Sequence, residues 1–327
     1  MPERPSTEPQ PDTLERRVEA LAAGSLLRDH LDVGRFWWGP LALPVVIAKG
    51  ARPGPKLVVT AGQHGGEGYG VLGLLKAIEA LQPETIAGEV WAIPCMNIFG
   101  YMHAQHGSPL DQQDMNRVYP GAAQGTMTQQ IVDAVFRRII SGADLVLDLH
   151  GGTPDFGNHP LARWVDVEGK PSVSDLARSY GIEYVMPPGG RAIPGMISLA
   201  VQEIGVPMIS IEHGNGVVYP GPTTDAIAGH VAVTMAWLGM TDAPRPDPGS
   251  VRVVTMTGVR SHTAGAFETF VRLGDNVEAG QLLGVVRDFH AQVVQEARLE
   301  TSGVVGVLRT GVRVHAGESL VWLLVDA

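Results

Sequence analysis

The chain has 327 residues, 44% apolar and 18% charged, which suits a globular fold with a substantial core and leaves room for one large and one small domain. Its formal charge of −10, from 24 basic and 34 acidic residues, argues against a general nucleic-acid or membrane-surface binder, since either needs a positive face. The single cysteine, Cys95, excludes an internal disulfide and fits a cytoplasmic location, and no apolar run reaches the ~18 residues of a membrane helix.

Residues 1–12 are polar and proline-rich, lack the apolar stretch of a signal peptide, and are expected to be disordered. A helix is predicted over 13–29 and a strand over 43–48. ARPGP at 51–55 reads as a turn, and KLVVTAG at 56–62 as a strand buried on both faces. A helix from about 70 to 81, a strand over 89–97 and a long loop over 98–125 follow. MTQQIVDAVFRRII at 127–140 has helical periodicity, and DLVLDL at 144–149 is another buried strand. The alternation continues with strands at 163–167, 183–186 and 207–212 and helices at 172–180, 195–204 and 223–238. This pattern predicts an α/β fold built on a mixed, mostly parallel sheet flanked by helices. TDAPRPDPGS at 241–250, with three prolines, reads as a linker. Beyond it lie only short β-type runs between glycines. A catalytic domain over 13–240 and a small all-β C-terminal domain over 251–327 are therefore expected.

Three polar clusters each follow an apolar strand: GQHGGE at 62–67, DLHGG at 148–152 and EHGNG at 212–216. In an open α/β sheet the ligand crevice lies outside the carboxyl ends of the strands, so the three could converge. Each cluster alone is weak, because a histidine at a strand end is commonly an ordinary hydrogen-bonded residue. Jointly they offer His64, Glu67 and His150, a two-histidine, one-carboxylate set of the kind that holds one catalytic zinc ion and leaves a fourth position open. Glu212 ends an apolar strand, where an unpaired carboxylate is costly. It is either a structural ion pair or cap, or a general base that moves a proton from water to a leaving amine. Asp148 lies two residues before His150 and faces the same way. It is either a partner that orients the metal ligand or a core-facing acid with its own donor. In DMNRVYPG at 114–121, Arg117 offers a planar fork for a carboxylate and Asn116 a further hydrogen bond.

GQHGGE, DMNRVYPG, DLHGG and IEHGNG, in this order, resemble the motifs of the succinylglutamate desuccinylase/aspartoacylase family, a branch of the zinc carboxypeptidase-like superfamily, over roughly residues 40–240. The resemblance implies zinc on His64, Glu67 and His150, Glu212 as general base, and a substrate carboxylate gripped by Asn116 and Arg117. The reaction implied is hydrolysis of an N-acyl amino acid, a small substrate bearing a carboxylate. Subgroups that deacylate acetylated diamino acids, as in ectoine breakdown, are also similar. The last 77 residues are similar to the family's small β domain and to a biotinyl/lipoyl-like sandwich, but no lysine follows Lys170 to carry such a group. A shaping role, or support of a homo-oligomer, is the expectation for it. One departure stands out. Where family members commonly carry an oxyanion-stabilising arginine upstream of the Asn-Arg pair, this chain places His106. Its ring N–H could serve the developing charge. Arg191, in PPGGRAIPG, is a further candidate for substrate contact, on a loop that is either a lid or plain surface. The alternatives are a zinc carboxypeptidase acting on short peptides, an esterase or cyclic-amide hydrolase on the same scaffold, and a binding protein with a relic site.

Overall fold

A computed structural model describes residues 13–36, 39–188, 193–215 and 221–327. The expected disordered tail at 1–12 and Arg191 lie outside the described residues. The chain begins with helix α1 (Thr13–Ala20) and the antiparallel pair β1 (Ser25–Phe36) and β2 (Gly39–Lys49). The helix expected over 13–29 therefore stops early. Gly24, at φ +73°, turns the chain, and the segment after it pairs along β2, a tertiary constraint that outweighs local helical pattern. Next come β3 (Arg52–Ala61), α2 (Gly68–Glu79), β4 (Ala87–Ile93) and α3 (Ile98–Met102). The turn expected at 51–55 is the irregular start of β3. Pro53 and Pro55 have no N–H to give, and the register with β4 slips between Arg52 and Lys56. The expected long loop at 98–125 holds α3 and one short 3₁₀ turn, Met115–Arg117.

Then follow α4 (Met127–Arg138), β5 (Leu145–His150), β6 (Phe156–Val165), α5 (Ser174–Arg178), β7 (Tyr184–Met186), α6 (Ile197–Glu203), β8 (Met208–Asn215) and α7 (Gly221–Trp237). The remainder is all strand: β9 (Arg252–Arg260), β10 (Gly265–Thr269), β11 (Asn276–Val277), β12 (Gly284–Arg287), β13 (Val293–Ala297), β14 (Gly303–Arg309), β15 (Arg313–Val314) and β16 (Ser319–Asp326).

Twelve strands form one sheet in the order β1-β2-β4-β3-β5-β8-β6-β7-β9-β16-β14-β11. Neighbours run parallel through β4-β3-β5-β8 and through β6-β7-β9. They run antiparallel where β1, β2, β6 and the C-terminal strands join. The sheet is thus mixed rather than mostly parallel. The parallel character read from the alternation holds for the strands that carry the polar clusters. Residues 251–327 contribute only strands, and those strands do not stand apart. β9 pairs with β7, β14 pairs with β6, and only β13-β12-β10-β15 forms a second sheet.

Alternation along β3 and β5 sets which side faces which helices. Leu57, Val59 and Ala61 with Leu145, Leu147 and Leu149 pack in one core, together with residues of α2, α5 and α7. Val58 and Val146 pack in the other, with residues of α1, α4 and α6. Thr60, Asp148 and His150 share the parity of Val58 and Val146, so the second face carries the polar groups at the carboxyl ends. No helix among the described residues is long and apolar enough to cross a membrane.

Candidate metal centre

Strand register brings two of the clusters together. His150, the last residue of β5, lies opposite Glu212 on β8, and Thr60 of β3 lies opposite Asp148 of β5. The third cluster turns back over the end of β3. Gly65 sits against α3, where an added Cβ would lie 1.9 Å from the Gly100 carbonyl carbon, so only glycine allows this approach. Glu67 then enters the site immediately before α2.

The result is a buried triad. The Glu67 carboxylate lies between two imidazoles, with Oε1 2.8 Å from His64 Nδ1 and Oε2 2.9 Å from His150 Nδ1. Each ring's other nitrogen meets an aspartate: His64 Nε2 lies 3.2 Å from Asp114 Oδ1, and His150 Nε2 lies 2.8 Å from Asp148 Oδ2. Asp148 is fully buried and also accepts from Thr60 Oγ1 at 2.7 Å and Gln63 Nε2 at 2.6 Å. A carboxylate behind each imidazole, with the opposite nitrogen facing a shared centre, is how proteins commonly orient metal-binding histidines. One donor atom from each of His64, Glu67 and His150 falls within 4.8 Å of the others. Two imidazoles and one carboxylate suit zinc, so these residues fit the ion.

Electrostatics follow from this geometry. Burial penalises an imidazolium at His64, yet Glu67 and Asp114 outweigh it and raise its pKa to about 9. Burial likewise opposes charge on His150, and Asp148 and Glu67 raise it well above its ordinary value. Burial would push Glu67 up, but His64 and His150 hold it well below the usual carboxylate range. Asp148, equally buried, is lowered by His150. Asp114 is lowered by its bonds to His106 and His64 against a partial burial penalty.

The loop after α3 closes one side. Gly65 N–H donates to the His106 carbonyl at 3.3 Å, and the His106 ring stacks on His64 with centroids 3.8 Å apart. His106 Nε2 lies 3.2 Å from Asp114 Oδ2 and its side chain is largely exposed. Asp114 also accepts from Asn116 N–H at 2.8 Å, which caps the turn carrying Asn116 and Arg117. Asn116 is buried and its Oδ1 accepts from Ile197 N–H at 2.9 Å, at the start of α6. Arg117 donates from Nη1 to the Asn116 carbonyl at 2.6 Å, and its side chain is 41% exposed. On the opposite side, Glu212 is half-buried, and Asn158 Nδ2 donates to its Oε2 at 2.8 Å.

The structure thus gathers His64, Glu67, His150 and His106 by direct contact, with Glu212 on the adjoining strand and Asn116–Arg117 on the bordering loop. Asp114, Gln63, Thr60 and Asn158 escaped the sequence reading. Asp114 and Gln63 lie inside quoted motifs, and an acid two residues before the Asn-Arg pair was a usable signal. Asn158 had none, because its partner lies 54 residues away. A second cluster, His64, His106 and Asp114, could also offer metal-binding atoms, but it shares His64 with the buried triad.

Residues 53–235 match the profile of the succinylglutamate desuccinylase/aspartoacylase catalytic domain. N-alpha-acetyl-L-2,4-diaminobutyric acid deacetylase of Halomonas elongata is 28% identical over 307 residues, covering 86% of this chain and 85% of that protein. The product-bound structure of the ectoine utilization protein EutE from Ruegeria pomeroyi superposes with a TM-score of 0.80 at 22% identity, over 92% of this chain and 95% of that one. A succinylglutamate desuccinylase/aspartoacylase structure from Rhodobacter sphaeroides gives a TM-score of 0.78 at 20% identity, over 92% and 95%. At these identities the two structures show a shared fold.

Proposed function

The chain belongs to the succinylglutamate desuccinylase/aspartoacylase family, and we propose that it is a zinc-dependent amidohydrolase that removes the acyl group from a small N-acyl amino acid. The observation that carries this reading is the Glu67 carboxylate held between two imidazoles, each backed by its own aspartate. His64, Glu67 and His150 would hold one zinc ion, which when bound acts as a Lewis acid toward water and the acyl carbonyl. The deacetylase relative supports an N-acetylated amino acid, diamino acids included, as the first substrate class to try.

The protein's own residues divide the work. Glu212 takes the proton of the attacking water and passes it to the leaving nitrogen. With Asn158 on Oε2, Oε1 would carry that proton. Arg117 presents its guanidinium to the substrate carboxylate, and Asn116, with Oδ1 engaged by Ile197, has Nδ2 left to donate. Holding the carboxylate fixes the approach of the amide to the water. His106, stacked on His64, offers a ring N–H to the charge that builds on the acyl oxygen. Arg191 is retained as a candidate substrate contact, and a cytoplasmic location and a homo-oligomer as expectations.

Glu212→Gln tests the assignment. The variant should keep its zinc and lose activity by about 10²- to 10⁴-fold on a panel of N-acetyl amino acids, the range of a lost acid–base group. Near-normal turnover would sink the role. Preference for short peptides over N-acyl amino acids would turn the reading to a carboxypeptidase.

A further inference from the structure

Glu212 is held in place by a residue from a different strand, and that strand is in turn held by the C-terminal part of the chain. β6 runs antiparallel to β8 with Asn158 opposite Gly214. Glu212 lies two residues before Gly214, so it projects from the same face of the sheet. Gly214 contributes no side chain there, and an added Cβ would lie 2.1 Å from Gly152 N. The Gly152 backbone closes on Gly214 there, and beside it the Asn158 amide reaches Glu212. The register between Asn158 and Leu161 is irregular around His159–Pro160, which lets β6 present Asn158 here and still pair regularly above. Asn158 Nδ2 donates to Glu212 Oε2 at 2.8 Å and also reaches the Gly151 carbonyl at 3.3 Å, next to His150. One amide thus spans the carboxylate and the loop that follows a metal ligand.

The other edge of β6 is clamped at the same point. Val307, Leu308 and Arg309 of β14 pair with Asn158, Gly157 and Phe156. Beyond β14, Thr310 and Gly311 N–H both donate to the Asp155 carbonyl, and Thr310 Oγ1 donates to the Pro154 carbonyl at 3.2 Å. The Arg309 guanidinium lies over the Phe156 ring, 4.7 Å from its centroid. Asn158 accordingly sits between β8 and β14 with its backbone held on both sides.

We infer that Asn158 is a positioning residue for the general base: it fixes Glu212 through Oε2 and keeps Oε1 turned toward the reacting water, and β14 supplies the backing that holds Asn158 still. This rests on the hydrolase reading given above. It deepens that reading by giving residues 251–327 a part in the chemistry rather than a covering role alone.

Two substitutions in the full-length, zinc-loaded protein test it, with metal content and thermal midpoint measured alongside. Asn158→Ala should lower kcat by about 10- to 100-fold, the value of one hydrogen bond to a charged group, with KM and zinc content little changed. Asn158→Asp keeps the shape and places a second carboxylate beside Glu212. Like charge favours the protonated form, so the acidic limb of the kcat/KM profile should move to higher pH. A residue that only stabilised the fold would lower the thermal midpoint without moving that limb. If Asn158→Ala does not fold, the pH profile of Asn158→Asp decides. A kcat within about twofold of wild type in Asn158→Ala, or an unmoved limb in Asn158→Asp, overturns the inference. Glu212→Gln, assayed in parallel, separates the two levels. If it is inactive while the Asn158 variants behave as wild type, only the positioning role falls. If it is active, the general-base reading falls and takes this inference with it.

Discussion

The two sides of the site are built differently. On the strand side, His150 is enclosed, its side chain 4% exposed, with both ring nitrogens engaged by carboxylates. On the loop side, Arg117 is 41% exposed and, among the described residues, its side chain is tied only to its own turn, through the Asn116 carbonyl and, at 3.8 Å, Asp114 Oδ2. The first arrangement has its orientation settled before any ligand arrives. The second leaves a charged fork free to reorganise around an incoming carboxylate. Under the proposed function, the strand side would carry chemistry that needs fixed geometry, and the loop side recognition, which tolerates exchange between related substrates.

That contrast can be broken or sharpened by substitution. The largest effect should come from His150→Ala. Bound zinc, measured by elemental analysis, should fall from about one per chain to near zero, and hydrolysis should go with it. A variant that kept its zinc would move the centre elsewhere. The aspartates behind the histidines come next. Asp148→Asn and Asp114→Asn should each weaken zinc by about 10- to 100-fold in competition with a chelator. Asp148, fully buried and bonded by Thr60 and Gln63, should cost more than the partly exposed Asp114. Equal losses would show that enclosure adds nothing. Arg117→Ala should lower kcat/KM about tenfold for carboxylate-bearing amides and leave neutral amides nearly unchanged. An equal loss on both would assign the side chain to the loop's own structure.

The smallest expected effect is on stability and lies behind Glu212. His213 follows Glu212 on β8, and its Nδ1 lies 3.4 Å from His230 Nε2 on α7. Burial, aided by the charge of His159, pushes His213 down to about 4. Burial, aided by His213, pushes His230 down to about 3. An unfolded imidazole titrates near about 6.5, so the unfolded chain binds more protons than the folded one below that pH. These two groups should therefore withdraw stability as pH falls from about 6.5 toward 4 for His213 and toward 3 for His230. His230→Leu should flatten that part of the thermal midpoint against pH. Parallel curves for variant and wild type would remove the pair from the account.

What the sequence revealed followed the range of the interactions. His64, Glu67 and His150 were legible because each stands in a short motif at the end of an apolar strand, and strand parity alone places Asp148 beside His150. Asn158 was not, since its role depends on a partner 54 residues away, set by a register irregularity; Asp114 stands in a quoted motif, but its contact with His64, 50 residues away, is set by loop closure. The same holds for the fold. The buried strands β3 and β5 announce themselves by composition. β1 is a strand because β2 runs beside it, and its apolar residues alone do not distinguish it from a helix. The direction of β6 was equally hidden, because reversal is a property of the pairing and not of the residues that pair.

The pairing of β14 with β6 also bears on how far the protein can be shortened. The proline-bearing segment 241–250 looks like a natural place to cut, and residues 243–250 carry no regular structure. A chain ending there would leave the backbone of Phe156–Asn158, and that of β7 where β9 now pairs, as bare rims open to any passing copy. Exposed rims of this kind recruit further strands. A minimal hydrolase made by truncation at residue 250 should accumulate as insoluble aggregate, so reducing the scaffold would require capping those rims first.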